Sequence, residues 1–285
     1  MKKRTVIIIV AVLFTAAVLP RAEERIPFLY ENPAIISLLR EYHVEMAFTE
    51  FHRRVDPWSE LIGVHAPVEA FHRLLALGAD INLNPPDGIS PLSSAISSRN
   101  EDIVEFFLSH GADVRRTDRR GETPLIHAAR FGTPRILELL IDAGAGPDAT
   151  YALRWVFTGG SLSDTYVEEM ARILIASGAD VNAVSPGGST PLLTAAGNIS
   201  LRPAAIGFLL SAGANVNAVN ANGQSALILA ADNRRAFTVV IEMLLEAGAD
   251  ARIEDNTGRT ALDWFDLNQR LYRHPVRREL RDRTL

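Results

Sequence analysis

The sequence predicts an all-α solenoid, in which short helix-turn-helix units stack side by side and each is followed by a projecting finger loop. Two recurring phrases support this fold class. The first is Gly-Ala-Asp or a close variant, which begins at Gly78, Gly111, Gly144, Gly178, Gly213 and Gly248. The second is Ser or Thr, then Pro or Ala, then Leu, which begins at Ser90, Thr123, Thr190, Ser225 and Thr260. The first phrase recurs every 33 to 35 residues, and such a period indicates a stacked array.

Each part of the repeat has a physical role in a helix-turn-helix unit. Ser or Thr caps a helix N-terminus, and Pro at the first helical position lacks only an N–H that would have no partner there. Small residues such as Ala128 and Ala129 let neighbouring helices approach closely. The second helix is apolar, as in 103–108, and the Gly that follows it is expected to be a left-handed C-cap. Turn-forming stretches such as 118–121 then complete the finger.

This pattern closely resembles the ankyrin repeat family. The matching residues are Thr-Pro-Leu followed by Ala-Ala at 123–129 and Gly-Ala-Asp-Val-Asn at 178–182, and the resemblance covers about residues 57–265. It implies an ankyrin-repeat solenoid that binds proteins and is not an enzyme. The repeated residues are structural, so they do not identify the partner.

The phrases divide the chain into segments. We predict a signal peptide or N-terminal membrane anchor at 1–22, an N-terminal helical cap at 23–56, repeats at 57–265 and a C-terminal helical cap at 266–285. The repeat boundaries fall at about 57–89, 90–122, 123–150, 151–189, 190–224 and 225–259, with a last unit starting at 260–265. We number these units one to seven. The arginine-rich C-terminal cap gives the array the polar end that a solenoid needs.

Two departures from the repeat are expected to matter. The finger that should close unit three is about five residues short, because Tyr151 follows only seven residues after Gly144. Unit four then carries about six extra residues between its helices, within 158–165. In the N-terminal cap, Asn32 and Pro33 form a helix start. Apolar residues then follow at helical spacing, at Ile35, Leu39, Tyr42 and Met46.

The N-terminus predicts export. Residues 6–19 form an unbroken apolar run behind the basic start Lys2-Lys3-Arg4. As a helix the run would span about 21 Å, short of the roughly 30 Å hydrocarbon core, which suits a secretory signal. We expect either cleavage between about residues 17 and 23 or retention as a membrane tether through residues 6–19. The basic start and the resemblance to exported bacterial ankyrin repeat proteins imply a periplasmic or inner-membrane-anchored protein.

Composition removes many enzyme classes. The chain has no cysteine, which excludes disulfides, zinc-thiolate sites and Cys nucleophiles. No lysine follows Lys3, which excludes Schiff-base and P-loop chemistry in the body of the protein. The net charge of −5 argues against nucleic-acid partners. No histidines are spaced as a metal-binding pair, and His127 is expected to be a framework residue. We therefore expect no metal and no cofactor.

The candidate binding residues lie where units two and three meet. They are Arg115, Arg116, Arg119, Arg120, Glu122, Arg130 and Phe131. Arginine forks beside an exposed aromatic ring are typical of binding hot spots. They predict a partner with an acidic surface, held by Arg–carboxylate pairs around Phe131. The alternative is a solvated charged finger partly neutralised by Asp113 and Asp118. Trp155 and Phe157 are expected to belong to the core.

Three functions remain open from the sequence. The first is a non-enzymatic protein-binding module, an accessory or protective partner of an envelope enzyme or a toxin, a partner class implied by the resemblance. The second is a membrane-tethered scaffold whose anchor is not cleaved. The third is a small-ligand or enzymatic site in the insertion at 159–165.

Overall fold

The computed structural model describes residues 32–42, 56–83, 85, 88–158, 164–198, 203–233, 238–267 and 274–284. The α-helices of these residues are α1 Pro33–Glu41, α2 Pro57–Gly63, α3 Val68–Ala76, α4 Pro91–Ser97, α5 Glu101–Ser109, α6 Pro124–Phe131, α7 Pro134–Leu140, α8 Ala149–Val156, α9 Asp164–Ala176, α10 Pro191–Gly197, α11 Pro203–Ser211, α12 Ala226–Asp232, α13 Thr238–Glu246, α14 Ala261–Leu267 and α15 Val276–Thr284. The predicted signal or anchor segment lies outside the described residues. Within them, no helix is both long enough and apolar enough to span a bilayer.

The helices form two stacked layers, and the all-α solenoid is confirmed. The inner layer contains α2, α4, α6, α8, α10, α12 and α14, and the outer layer contains the odd-numbered helices from α3 to α15. Each helix packs mainly on its neighbours in the same layer and on the other helix of its own unit. Among the inner helices, α8 and α10 pack against each other least extensively. The core is therefore a continuous strip along the array rather than one central cluster.

The predicted helix caps are present with one exception. Ser90, Thr190 and Ser225 each accept a hydrogen bond from the backbone N–H three residues later, at 3.1 to 3.3 Å. Thr123 makes no such bond, and its Oγ1 is buried without a partner. All six glycines of the Gly-Ala-Asp phrases have φ between +81° and +98°, which confirms the left-handed C-caps.

Unit one begins with a cap that the sequence analysis did not predict. Asp56 takes the place of Ser or Thr, and its Oδ1 accepts from the Ser59 N–H at 2.8 Å. Asp is as good an N-cap as Ser, so the Asp-Pro pair starts the helix in the same way. Trp58 follows where other units carry Leu. It is fully buried, and its Nε1 donates to the Asp80 carbonyl at 2.9 Å.

Of the N-terminal cap, the structure describes the helix α1. Asn32 accepts from the Ala34 N–H at 2.9 Å and starts α1, where Ile35 and Leu39 are buried as expected. The helix ends at Glu41. Met46 lies outside the described residues.

Asparagine side chains bridge neighbouring units near the base of the fingers. Each donates its amide to the carbonyl of the next C-cap Gly and accepts a backbone N–H two residues beyond it. The three are Asn82, Asn182 and Asn217, which donate to Gly111, Gly213 and Gly248. The middle of the array lacks this bridge. There, Arg115 reaches the Gly144 carbonyl at 3.5 Å, and Thr150 accepts from the Asp180 N–H at 3.1 Å.

Candidate functional site

Residues 115–122, which we call the Arg finger, are shaped by one carboxylate. Asp118 Oδ1 accepts from the backbone N–H groups of Arg120 at 2.7 Å and Glu122 at 2.9 Å. Burial by itself would raise the Asp118 pKa, but these two N–H groups and His127 outweigh it and hold that pKa below its usual range. The tight turn leaves Arg119 and Arg120 exposed. Neither pairs with a carboxylate among the described residues.

The other two arginines of the finger are engaged within the array. Arg116 is half-buried and its Nη1 donates to the Asn82 carbonyl of the preceding unit. Arg115 is exposed and its Nη2 reaches the Gly144 carbonyl at 3.5 Å. The four arginines therefore do not form one group of solvated charges. They separate into Arg119 and Arg120, which face solvent, and two side chains that extend to neighbouring units.

Glu122 and Arg130 form an internal ion pair. Glu122 is only 7 % exposed, and Arg130 Nη1 donates to its two carboxylate oxygens at 2.8 and 2.7 Å. The charge of Glu122 is thus compensated inside the protein. Arg130 already holds one carboxylate, so the structure does not present it as an unpaired fork for a partner.

Arg130 also lies between two aromatic rings. Its guanidinium carbon is 4.7 Å from the ring centre of Phe131 and 4.7 Å from that of Trp155. Arg154 lies 5.0 Å from the same Trp155 ring. Cations at these distances are attracted to ring faces. Phe131 is consequently half-buried rather than exposed as expected. Trp155 is also half-buried, whereas Phe157 is fully buried.

One cluster contains residue types that bind metals. A carboxylate oxygen of Asp118, a carboxylate oxygen of Glu122 and a ring nitrogen of His127 lie within 4.8 Å of one another. His127 Nε2 is 3.2 Å from Asp118 Oδ2 and 3.8 Å from Glu122 Oε2. Arg130 and the finger backbone supply the remaining donors to both carboxylates. His127 thus hydrogen-bonds the finger through Nε2, the role expected of a framework residue, and its Nδ1 is buried without a hydrogen-bond partner among the described residues.

The row of fingers is interrupted beside the Arg finger. Gly88, Gly188 and Gly223 occupy equivalent fingertip positions, and each packs against the backbone of the next finger. A Cβ placed on each of these glycines would lie close to a backbone nitrogen of the finger that follows it. The distances are 3.1 Å from Gly88 to Arg119 N, 2.7 Å from Gly188 to Ala221 N and 3.0 Å from Gly223 to Asn256 N. Gly121 is the equivalent glycine of the Arg finger, and no atom of the described residues lies within 4 Å of its Cβ position. The Arg finger therefore has a free edge within the array.

The short finger of unit three explains this free edge. The chain makes a π-type turn over Ile141–Ala145, which contains Gly144, and then a 3-10 turn over Gly146–Asp148. It then enters α8 at Ala149, so no full finger is built. Tyr151, on the first turn of α8, is 70 % exposed. Of the insertion predicted in unit four within 158–165, residues 159–163 lie outside the described residues.

Comparison with known proteins places these features in a family. The family model for ankyrin repeats, described as three copies, matches residues 64–151 and 200–265. Protein phosphatase 1 regulatory subunit 27 from Homo sapiens is 40 % identical over 65 residues, which are 23 % of this chain and 42 % of that protein. The nuclear factor NF-kappa-B p105 subunit from Gallus gallus is 33 % identical over 135 residues, 42 % of this chain and 13 % of that protein. This chain covers less than half the length of both relatives.

Solved structures match a larger share of the chain. The ankyrin repeat domain of Bcl-3 is 26 % identical, with a TM-score of 0.60, and the match covers 76 % of this chain and 99 % of that domain. The ankyrin repeat domain of human ASB11 is 23 % identical, with a TM-score of 0.65, over 80 % of this chain and 98 % of that domain. The second likeness concerns the fold alone.

Proposed function

The chain belongs to the ankyrin repeat family, whose model matches more than half of it, and we propose that it binds an acidic partner protein through the Arg finger and the adjoining inner helices. Ankyrin repeats are protein–protein interaction modules. The general role of this chain is therefore binding rather than catalysis. Its partner and its binding face are our proposal.

The exposed pair Arg119 and Arg120 is the observation that supports this face. Both are cations without a carboxylate partner among the described residues, in a protein with a net charge of −5. Unpaired arginine forks bind carboxylates in bidentate geometry. The stack of Phe131, Arg130 and Trp155 contacts the same finger at Glu122 and supplies apolar area. Arg130 acts here by holding the two rings in place, not by contacting the partner's carboxylates.

Partner binding can be measured with matched variants. The partner is captured from an extract of the source cells, identified, purified and titrated by calorimetry. We expect Arg120→Ala to weaken binding by about 1–3 kcal/mol, the usual hot-spot range. Phe131→Ala should weaken it similarly, with circular dichroism to verify folding. Arg281→Ala, on the exposed C-terminal helix, is the control and should leave affinity unchanged. Equal affinity of all three variants would show that another face binds.

We further propose that the protein acts outside the bacterial cytoplasmic membrane, as an accessory or protective partner of an envelope protein. The apolar run at 6–19 behind the basic start supports export. A scaffold that keeps this segment as a membrane tether is the second candidate. Extraction of cell envelopes without detergent distinguishes the two, because only the cleaved form should be released.

A further inference from the structure

The missing finger of unit three leaves a space in the finger row, which we call the finger slot. Its wall is the free edge of the Arg finger at Arg120 and Gly121. Its floor is the exposed side of α8, which lies between α6 and α10 in the inner layer. The inner helices α4, α6, α10, α12 and α14 each start directly after a finger, so Tyr151, on the first turn of α8, lies at the corresponding place beside the slot. Packed helices are about 8–10 Å apart, so a slot one unit wide accommodates one loop.

The wall of the slot carries an unused hydrogen-bond acceptor. In two later fingers of the row, the residue before the fingertip Gly accepts a backbone N–H from the next finger. Gly187 accepts from Ala221 at 3.4 Å, and Asn222 accepts from Asn256 at 2.9 Å. Arg120 is the equivalent residue of the Arg finger, and no N–H of the described residues donates to its carbonyl. The same acceptor is available to a segment of another molecule.

The floor presents two aromatic side chains on one helix face. Tyr151 is 70 % exposed and Trp155 is half-buried. They are four residues apart on α8 and so lie on the same side of that helix. Tyr and Trp are the residue types most enriched in binding hot spots. The packing of the array accounts for Trp155 through Arg130, but it leaves Tyr151 in solvent.

Two cations beside the slot have no acidic partner among the described residues. Arg120 on the wall and Arg154 on the floor form no ion pair with a described carboxylate. Glu122 is buried and already paired with Arg130. Two acids lie at the start of α8: Asp148 precedes its first residue, and the backbone N–H of the exposed Asp180 donates to Thr150 Oγ1 at 3.1 Å. The rest of the chain is acidic overall. Carboxylates of an occupant would therefore be attracted to Arg120 and Arg154 rather than to the start of α8.

We propose that the finger slot receives an acidic projecting loop of a partner protein, which takes the place of the missing finger. A backbone N–H of the loop donates to the Arg120 carbonyl, as the next finger does elsewhere in the row. Carboxylates of the loop pair with Arg120 and Arg154, and an apolar residue contacts Tyr151 and Trp155. This proposal rests on the proposed function and narrows it to one slot and one shape of partner.

A finger-sized peptide tests the proposal. The probe is a disulfide-closed hairpin of about 12 residues, matching the length of one finger, with several Asp residues and one Leu at its tip. A matched hairpin carries Asn for every Asp. Fluorescence anisotropy of the labelled peptides is measured against the full chain. We expect saturable binding of the acidic hairpin and at least about tenfold weaker binding of the Asn hairpin. Absent binding, or equal binding of both hairpins, would overturn the proposal.

Point variants locate the bound peptide. Tyr151→Ala and Arg154→Gln should each weaken binding of the acidic hairpin by about tenfold, as expected for hot-spot residues. Arg281→Gln, on the C-terminal helix, should have no effect. Both slot side chains reach solvent, so circular dichroism should show all three variants folded. If both slot variants bound the acidic hairpin with unchanged affinity, the hairpin would not be bound in the slot.

A finger-restoring variant tests the shape directly. Inserting Asn-Ala-Asn-Gly-Gln, the sequence of 220–224, between Asp148 and Ala149 should fill the slot and abolish hairpin binding while the chain remains helical. If the insertion variant does not fold, the point variants alone test the proposal. One outcome is a captured partner that binds Arg120→Ala more weakly but binds Tyr151→Ala and Arg154→Gln as tightly as the unaltered chain. That result would overturn binding in the slot and leave the proposed function standing. Self-association that Tyr151→Ala abolishes, without hairpin binding, would make a second copy the occupant and likewise overturn the proposal.

Discussion

Arg130 of α6 lies over Trp155 of α8, with its guanidinium carbon 4.7 Å from the ring centre. The contact joins the inner helices of units three and four. The same guanidinium donates to both oxygens of the buried Glu122. One side chain thus compensates a buried charge and links two repeats at the place where the array lacks its asparagine bridge.

Removal of Arg130 should destabilise the protein. Arg130→Ala leaves the Glu122 carboxylate buried without its cation, which costs about 3–5 kcal/mol for a fully buried pair. About 3 kcal/mol is expected here, because 22 % of the Arg130 side chain is exposed. Urea unfolding followed by circular dichroism measures the change. The double variant Arg130→Met with Glu122→Gln should recover part of the loss, because it removes both charges.

Arg135 supplies the matched control. It pairs with Glu138 at 3.5 Å, and both side chains are about half exposed. Such a surface pair contributes about 0–1 kcal/mol. Arg135→Ala should therefore change the unfolding free energy by less than about 1 kcal/mol. If Arg130→Ala were equally mild, the Glu122 pair would not be acting as a buried one.

The packing between neighbouring units should be weakest in the middle of the array. The asparagine bridge is absent around Gly144, and α8 and α10 pack less than other inner pairs. Leu174 in α9 is fully buried, so Leu174→Ala should cost about 2–5 kcal/mol. Hydrogen exchange should show the largest loss of protection in units three to five. A uniform loss from end to end would contradict a weak middle.

Acid should destabilise the C-terminal finger. Asp255 is buried, and burial alone would raise its pKa. Hydrogen bonds from Thr257, the Trp264 indole and the Arg259 backbone lower the pKa to about 2. A folded-state pKa below the unfolded one gives stability that is present above about pH 4 and lost as the pH falls toward 2. The pKa of Asp118 is also lowered.

Asp255→Asn should show this contribution. The variant should be less stable at pH 7 by about 1–3 kcal/mol, since it loses charge-assisted hydrogen bonds. Its stability should also fall less steeply between pH 4 and pH 2 than that of the unaltered protein. Thermal unfolding across this pH range provides the comparison. The Asp282 side chain is 59 % exposed, so the stability of Asp282→Asn should fall between pH 4 and pH 2 as steeply as that of the unaltered protein.

Export remains a prediction of the N-terminal sequence. Thr15 and Ala17 place small residues beside the apolar run, which is typical of a cleavage site. N-terminal sequencing of protein from its native cells should find a start between about residues 17 and 23. An intact Met1 in the envelope fraction would favour the retained tether. An intact Met1 in the soluble cytoplasmic fraction would contradict both.

Much of the fold could be predicted because repeat signals are local. A Ser or Thr cap, a Pro at the first helical position and a left-handed Gly act within a few residues, and their spacing reports the stacking period. The Asp56 cap was missed because unit one replaces the usual Thr-Pro-Leu. The sequence also predicts the short finger after Gly144 from its spacing alone.

The candidate site was less predictable. Seven residues stood out because the repeat pattern does not explain them, and the structure separates them by contacts between units. Arg119 and Arg120 face solvent, whereas Arg116 reaches Asn82 and Arg130 holds Glu122. Tyr151 was not selected, although its position after a missing finger was the available signal.

The sequence by itself determined the all-α repeat and the short finger after Gly144, because those features depend on residues close together in the chain. The tertiary structure decided which cations are paired, which fingertip glycine has a free edge and which aromatic side chain is exposed. These properties depend on contacts between stacked units, as between Arg116 and Asn82, and on the packing of a finger against the inner helix that follows it, as between Glu122 and Arg130. Glu122 and Gly121 adjoin in sequence, yet one is buried against Arg130 and the other borders an open slot.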